Sequence, residues 1–489
     1  MAGTTIIGID VGTTAVKALL ITSDGRQLDR FAETYPTARP ASGVVEQDPE
    51  DWFRHLLAAL ARFERGFDLS GLAGIGICSQ VNTHVFVDGD GRALAPAIVW
   101  QDGRCAAVAA ELDAQVDTAK RIAWWGAPLP IDASHGLSRM EWMRRNRPDV
   151  WEKTRWVMAP KDYCILRLTG EAKADPIASV GLVDGELRYL TPLLDLVPGA
   201  ARRLAPLAKF TDRVGTVQPG MPCAGTPVVV GAMDAWGGMF GVGVEAQGSA
   251  MYLSGTSEIM GIVSPRRVPT PGVIAFPTYE GITLHAAPTQ SGGASMGWLS
   301  NLLGRSPEEL SALAATVEPG ERVPLFLPHL EGERAPIWDS FARGVFIGMD
   351  SSTGPARLAR SVMEGVAYSA RWLLEALEQS SDCRVEVIHC GGGGFQSDVW
   401  NQIRADVLGR RLRRVSTSDA AALGAAAIAA AGVRVHGSIA GAIAAIVQFD
   451  REYRPDPAKA AQHDFGFALY KETYEATKAI SRKHTEQRR

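Results

Sequence analysis

This chain has no basic tract, no cysteine-pairing pattern and no apolar run long enough to cross a bilayer. Its 50 basic residues are offset by 54 acidic ones, and no basic run exceeds the pairs Arg410-Arg411 and Arg413-Arg414. A protein that grips phosphate backbones needs a basic face, so nucleic acid is not an expected partner. The six cysteines (Cys78, Cys105, Cys164, Cys223, Cys383, Cys390) show neither Cys-x-x-Cys spacing nor a nearby His pair. Free thiols in a reducing compartment follow, and structural zinc does not. The most apolar segment, Ala420 to Val433, is too short for a membrane span and contains Gly424. Its small residues suit a helix packed tightly against a sheet or a nucleotide. No pattern of basic residues, apolar stretch and cleavage site precedes the strand at Ile6, so a cytoplasmic protein without membrane contact is expected.

A Walker-type loop is also missing from the first turn, because no Gly-Lys-Ser/Thr opens a helix there. What stands in its place is Asp10-Val11-Gly12-Thr13-Thr14, after the apolar run Ile6-Ile7-Gly8-Ile9. Gly12 lets the backbone approach a polyanion, successive N–H groups and two hydroxyls can donate to it, and Asp10 sits where a magnesium ion would be needed. The chain returns through Ala15 to Leu20, which makes the turn a hairpin tip. An echo occurs about half a chain later: residues 249–262 again read strand, Ser254-Gly255-Thr256-Ser257 turn, strand. Either turn alone could be an ordinary hairpin tip. Together they predict two similar lobes closing on one nucleotide.

With 489 residues the chain exceeds what one hydrophobic core supports, so two domains are expected, 1–245 and 246–489. Strands are predicted at about 4–11, 15–22 and 27–34, and a helix after Asp48-Pro49, with Asp48 as N-cap and Pro49 at N1. Leu72 to Cys78 reads as a buried strand, Thr83 to Val87 alternates, and helical patterns dominate 104–170. Extended segments return near 226–232. In the second half, helices are predicted near 294–303, 307–315, 355–380 and 397–408, strands at 385–389 and 411–415, then the Ala-rich helix and a last helix from about 465. Antiparallel strands followed by alternating helices and strands, seen twice, predict two mixed α/β lobes with a cleft between them.

The chain resembles the FGGY carbohydrate kinases of the actin-like ATPase superfamily, and within them the xylulokinases. The resemblance runs from Ile6 to about Gly432. It is carried by Asp10-Val11-Gly12-Thr13-Thr14, Glu46-Gln47-Asp48-Pro49, Trp100-Gln101-Asp102-Gly103-Arg104, Gly231-Ala232-Met233-Asp234, Ser254-Gly255-Thr256-Ser257 and Gly332-Glu333-Arg334-Ala335-Pro336. Two longer segments, Arg139 to Met143 and Gly344 to Glu364, are similar to the family's signature regions, with Arg139 where lysine is usual and Arg357 where a polar or acidic residue is usual. Xylulokinases typically carry Gln-Met-His-Gly at the sugar-binding turn. Here the residues are Gln80-Val81-Asn82-Thr83, a departure that weighs against D-xylulose but not against a kinase.

The resemblance implies two ribonuclease H-like lobes, ATP and Mg²⁺ as cofactors, and phosphoryl transfer to a ketose, D-xylulose or a related ketopentose being the first expectation. Another polyol, a ketohexose or a sugar acid is the alternative, and a non-catalytic sugar sensor or actin-like ATPase is the alternative of a different class. It assigns the general base to Asp234, which follows the apolar strand at Pro227 to Val230; Asp is also a favoured N-cap, and both roles can coexist. Asp10 and Asp234 are the metal candidates. Gly12, Thr13, Thr14 and Lys17 would meet the phosphates from the first lobe, although Lys17 also fits a solvated strand lysine. Gly255, Thr256, Gly293, Gly393, Gly394 and Asp398 would hold the nucleotide in the second. Gln80, Val81, Asn82, Trp100, Asp102 and Asp234 are the sugar-lining candidates, with Trp100 open to a core role and Asp102 to an ion pair with Arg104. Relatives are often dimers, so a homodimer is implied.

Overall fold

The computed structural model describes residues 3–126, 128–318 and 320–486. They form two compact units. The first comprises Met1–Gly243, Pro277–Tyr279 and Asp419–Val447, and the second Val244–Phe276, Glu280–Ser418 and Gln448–Arg489. A single cut at 245 therefore misassigns the Ala-rich segment, which returns to the first unit. The reason is steric, as shown below.

The first unit is built on a seven-stranded sheet. Its strands are β1 (Thr5–Val11), β2 (Ala15–Thr22), β3 (Gln27–Thr34), β4 (Leu72–Ser79), β5 (Arg213–Thr216), β6 (Pro227–Val229) and β7 (Ala232–Met233). The order is β3-β2-β1-β4-β6-β5, and β7 also pairs with β4. The β1–β2 and β2–β3 pairs are antiparallel, whereas β1–β4 and β4–β7 are parallel. In register, Asp10 faces Cys78 and Val11 faces Ser79, while Ala232 and Met233 face Cys78 and Ser79 from the other side. Three strands thus end together and deliver Asp10, Gln80 and Asp234 to one edge.

One face of this sheet is covered by the helix Pro49–Gly66. The Asp48 side chain accepts the Glu50 N–H, Pro49 occupies the first turn, and Glu50 and Asp51 add negative charge where the helix dipole favours it. Trp52, Leu56, Leu60 and Phe63 recur at helical spacing and are fully buried against Ile7, Ile9, Val16 and Leu20. The other face takes the helix Ala420–Gly432. A Cβ at Gly8 would stand 1.9 Å from the Ala422 carbonyl oxygen, and one at Gly76 2.0 Å from that of Ala425. A Cβ at Gly424 would stand 1.8 Å from the Gly237 carbonyl oxygen on the helix Asp234–Gly241. Only glycine permits this backbone-to-backbone approach, which is why the alanine-rich helix packs here despite lying late in the sequence.

The second unit repeats the plan. Its seven-stranded sheet contains β8 (Ala250–Ser254), β9 (Glu258–Val263), β10 (Ile274–Ala275), β11 (Leu284–Thr289), β12 (Val387–Gly391), β13 (Arg411–Val415) and β14 (Phe449–Tyr453), in the order β10-β11-β9-β8-β12-β13-β14. Again the hairpin pair β8–β9 is antiparallel and the next neighbour, β12, runs parallel to β8. The long helix Pro355–Ser381 supplies Val362, Val366, Leu373 and Leu377 to its core. Strand β14 escaped the sequence reading: Phe449-Asp450-Arg451-Glu452-Tyr453 is mostly polar, as befits a sheet edge. The last helix begins at Ala460 rather than 465. Among the described residues, no helix is long and apolar enough to cross a membrane.

Candidate active site

The first unit gathers its candidate residues around the β1–β2 turn. Gly12 and Thr13 are half-buried and Thr14 is exposed. The Gly12 carbonyl accepts from the Tyr35 hydroxyl and, at 3.4 Å, from Gln80 Nε2. Gln47 Nε2 donates to the Thr13 carbonyl at 2.7 Å, and Gln47 Oε1 accepts from Gln80 Nε2 at 2.9 Å. Thr83 Oγ1 donates to Gln80 Oε1, and Trp100 Nε1 donates to Thr13 Oγ1, both at 3.1 Å. Gln80 is thus buried and fully engaged, and Trp100 is tied by its indole N–H to the β1–β2 turn. Gln47 and Thr83 complete the network; each stands in a motif given above, Glu46-Gln47-Asp48-Pro49 and Gln80-Val81-Asn82-Thr83, but neither was named as a site candidate.

Val81 and Asn82 form the tip beyond Gln80. Asn82 is exposed with φ +57°, a left-handed conformation that asparagine tolerates better than other side chains carrying a Cβ. Its Nδ2 reaches Ser134 Oγ at 3.5 Å. Asp102 stands apart. It is 2% exposed, and its carboxylate accepts the Val45 N–H at 2.6 Å, the Arg104 N–H at 2.9 Å and the Arg104 guanidinium at 2.7 Å. Burial alone would raise its pKa, but Arg104 and the two backbone donors outweigh burial and hold it below the usual carboxylate range. The ion pair read as the alternative for Asp102 is present, though buried rather than on the surface.

Asp10 and Asp234 form the electrostatic centre of this unit. Both are half-buried, and Cys78 lies on the strand between theirs, its Sγ 3.7 Å from Asp10 Oδ1. Burial raises Asp234 to about 7, with the Asp10 charge adding to the effect. Burial likewise raises Asp10 to about 6, opposed by Lys17 and reinforced by Asp419. Asp234 also accepts the Ala235 N–H at 2.8 Å, at the start of the helix Asp234–Gly241. Lys17 Nζ lies 3.6 Å from Asp419 Oδ1, and Asp419 also receives Arg30. Among the described residues no group of three or more His, Cys, Asp or Glu could hold a metal. Two carboxylates do suit Mg²⁺, which keeps several waters and takes its remaining ligands from phosphates.

The second unit presents a different chemistry. Gly255, Thr256 and Ser257 are exposed at the β8–β9 tip. The Gly293 and Ala294 N–H groups donate to the Gly255 and Thr256 carbonyls, each at 2.9 Å, which docks the start of the helix Gly293–Leu303 on that tip. A Cβ at Gly293 would stand 2.5 Å from the Gly255 carbonyl oxygen, and one at Gly394 2.0 Å from Ser254 Oγ. Gly393 is exposed with nothing near it. Turn, helix start and glycine run are therefore one assembly.

Arg404, which sequence reading missed, clamps that assembly from below. It is fully buried; one nitrogen reaches Glu258 Oε1 at 2.7 Å and Ser254 Oγ at 3.1 Å, and the other the Gly394 carbonyl at 2.7 Å. Tyr252 donates to the second Glu258 oxygen at 2.5 Å. Nothing in the local pattern singled Arg404 out, since the helix Asp398–Leu408 also carries Asp398, Asn401, Gln402 and Asp406. Glu333, of the Gly332 to Pro336 motif, plays a similar part: it accepts from Thr289, Ser291 and the Gln290 N–H, and His329 lies at 2.9 Å. Asp398 opens the helix Asp398–Leu408 but is paired with Arg451 and Tyr453.

Two domain descriptions match the chain: the N-terminal domain of the FGGY family of carbohydrate kinases over residues 5–241, and the C-terminal domain of that family over residues 250–433. The chain belongs to the FGGY family of carbohydrate kinases. It is therefore a sugar kinase with ATP as phosphoryl donor. Similar proteins include the xylulose kinase of Escherichia coli (strain K12), 31% identical over 445 residues and covering 86% of this chain and 89% of that protein. The xylulose kinase of Lactococcus lactis subsp. lactis (strain IL1403) is 28% identical over 498 residues, 98% of each chain. Among solved structures, a gluconate kinase from Lactobacillus acidophilus superposes with a TM-score of 0.87 at 24% identity, over 99% of this chain and 100% of that one. That likeness concerns the actin-like ATPase fold alone. An FGGY kinase's lobes are what the two repeated sheets are.

Proposed function

We propose that this FGGY kinase phosphorylates a ketose, D-xylulose or a related ketopentose, with Asp234 as general base. The observation that carries the reading is the pair of half-buried carboxylates, Asp10 and Asp234, at the ends of the two strands that flank β4, beside a hydrogen-bonded polar turn. The acceptor hydroxyl oxygen attacks the γ-phosphorus, the bond from that phosphorus to the β–γ bridging oxygen breaks, and ADP leaves. The hydroxyl proton passes to Asp234. A carboxylate with a pKa of about 7 is a stronger proton acceptor than an ordinary aspartate and is still largely ionised above neutral pH. Asp10, with Asp234, would hold Mg²⁺, which when bound neutralises phosphate charge. Thr13 and Thr14 would meet phosphate oxygens; Gly255, Thr256, Gly293, Gly393 and Gly394 would hold the nucleotide. Lys17 and Asp398, each already ion-paired, would contribute only by exchanging those partners.

The xylulose kinases at 31% and 28% identity support a ketopentose. Asn82 supports a second reading, another polyol, a ketohexose or a sugar acid. An amide at this tip donates and accepts in a geometry that an imidazole does not share, and an unpaired buried polar group on the wrong sugar is strongly rejected. ADP release with Mg-ATP, measured across ketopentoses, ketohexoses, polyols and sugar acids, distinguishes the two. Strong stimulation by D-xylulose supports the first; preference for a sugar acid or ketohexose replaces it with the second. Asp234→Asn is expected to lower kcat by roughly 10²–10⁴-fold while ATP still binds. Near-wild-type turnover removes Asp234 from the mechanism.

A further inference from the structure

Lys161 is a buried cation without a part in the chemistry above. It lies in the first turn of the helix Pro160–Thr169 and is 0% exposed, as is Asp175. Its Nζ lies 2.5 Å from Asp162 Oδ1, 2.7 Å from Asp175 Oδ2 and 3.3 Å from the Val230 carbonyl oxygen. The Asp162 and Val230 contacts are hydrogen bonds, and the Asp175 contact is an ion pair. Burial works against its charge, but the two carboxylates outweigh burial and keep Lys161 protonated. The Lys161 backbone N–H donates to Ser79 Oγ at 3.1 Å, and that hydroxyl donates to the Gln80 carbonyl at 3.1 Å.

The backbone between β6 and β7 explains why a cation is wanted there. Gly231 has φ +71°, and a Cβ on it would stand 1.8 Å from the Ile77 carbonyl oxygen. This kink takes Val230 and Gly231 out of the ladder with β4, and their N–H groups turn instead to the Asp212 and Phe210 carbonyls, each at 3.0 Å. The Val230 carbonyl, buried and off the ladder, is taken by Lys161. A few residues on, the same segment presents Asp234. One side chain and its own N–H thus bind the approach to Asp234 and the end of the strand that presents Gln80, Val81 and Asn82.

We propose that Lys161 is a positioning residue for phosphoryl transfer, fixing the strand end that carries Asp234 against the strand end that carries the Gln80–Asn82 turn. The inference rests on the reading of Asp234 as the base. Stability alone does not require this arrangement, since well-packed apolar residues commonly replace a buried ionic cluster without loss. Geometry does: a misplacement of about 1 Å costs on the order of 10²-fold in rate.

The test compares three variants, assayed with Mg-ATP and the acceptor of highest turnover in the panel above. Lys161→Met/Asp175→Asn removes one charge of each sign and the Val230 contact. Lys161→Arg keeps the charge but offers a planar fork in place of a compact ammonium. Asp234→Asn reports on the underlying reading. Expected is a loss of kcat of about 10²-fold in the double variant, a smaller loss in Lys161→Arg, and KM for both substrates within about twofold of wild type. Wild-type kcat in a folded double variant, with Asp234→Asn inactive, overturns the proposal and leaves the base standing. An active Asp234→Asn overturns the base reading itself. Activity that tracks melting temperature and recovers when the assay is cooled, or failure of both Lys161 variants to fold, assigns Lys161 to the core and equally overturns the proposal.

Discussion

The two hairpins that look alike in sequence carry opposite electrostatics. At the β1–β2 turn the acidic residue, Asp10, lacks a close cation of its own: Lys17 is shared with Asp419, and burial leaves the Asp10 carboxyl raised to about 6. At the β8–β9 turn the acidic residue, Glu258, is buried beneath the tip, with Arg404 on one oxygen and Tyr252 on the other. The first turn exposes a deficit of positive charge, and so attracts a cation or a proton. The second has its charge neutralised underneath and shows only backbone and hydroxyl groups at its tip. In the duplicated fold, the first turn thus keeps a carboxylate whose burial is not offset, and the second has its carboxylate offset from below. The difference lies in one residue far off in sequence, Arg404.

Removing that residue is the strongest way to break the comparison. Arg404→Leu leaves Glu258 buried and charged without its partner, and is expected to destabilise the protein by about 3–5 kcal/mol. Chemical denaturation reads this; a loss under about 1 kcal/mol would show that the clamp is decorative. Next comes the steric clamp of the first unit. Gly8→Ala places a Cβ against the Ala422 carbonyl, and a cost of about 2–3 kcal/mol is expected, with backbone shifts relieving the remainder. Smaller again is Gly394→Ala, whose Cβ meets the Ser254 hydroxyl at 2.0 Å. The Ser254 side chain can rotate, so stability should fall by about 1 kcal/mol while ATP affinity, measured by calorimetry, falls several-fold.

Much of this was legible in the sequence because it is local. The strand–turn–strand pattern around Gly12 and around Gly255, the Asp48-Pro49 helix start and the strand before Asp234 all follow from short-range periodicity and capping. Long-range pairings were not legible. Nothing near Ala420 says that its helix needs Gly8 and Gly76, some hundreds of residues earlier, to open a path for its backbone. Arg404 and Lys161 read as ordinary charged residues of helices and Glu333 as a motif residue without an assigned role, and only the fold reveals that all three are buried. Asp102 reads two ways, as sugar-lining or as the ion-pair partner of Arg104, and the fold shows the ion pair, with the Val45 N–H as a further donor.

The finest test of the comparison is the pH dependence of the first unit. Asp234 has its folded pKa raised to about 7, against about 3.9 in an unfolded chain. A group shifted upward favours the folded state only while protonated, so its contribution is complete below pH 4 and is lost as pH climbs through 7. Asp234→Asn, which cannot ionise, should therefore melt level with wild type at pH 4 and a few degrees above it at pH 8, in metal-free buffer. Glu258→Gln should do the opposite and melt lower than wild type at both pH values, because it takes away the negative charge that Arg404 needs. A parallel response of the two variants would mean that the two turns are not electrostatically distinct. Opposite responses would place the cation-seeking function in the first unit, since the gain on removing a carboxylate measures how far that carboxylate is held unsatisfied in the absence of a metal.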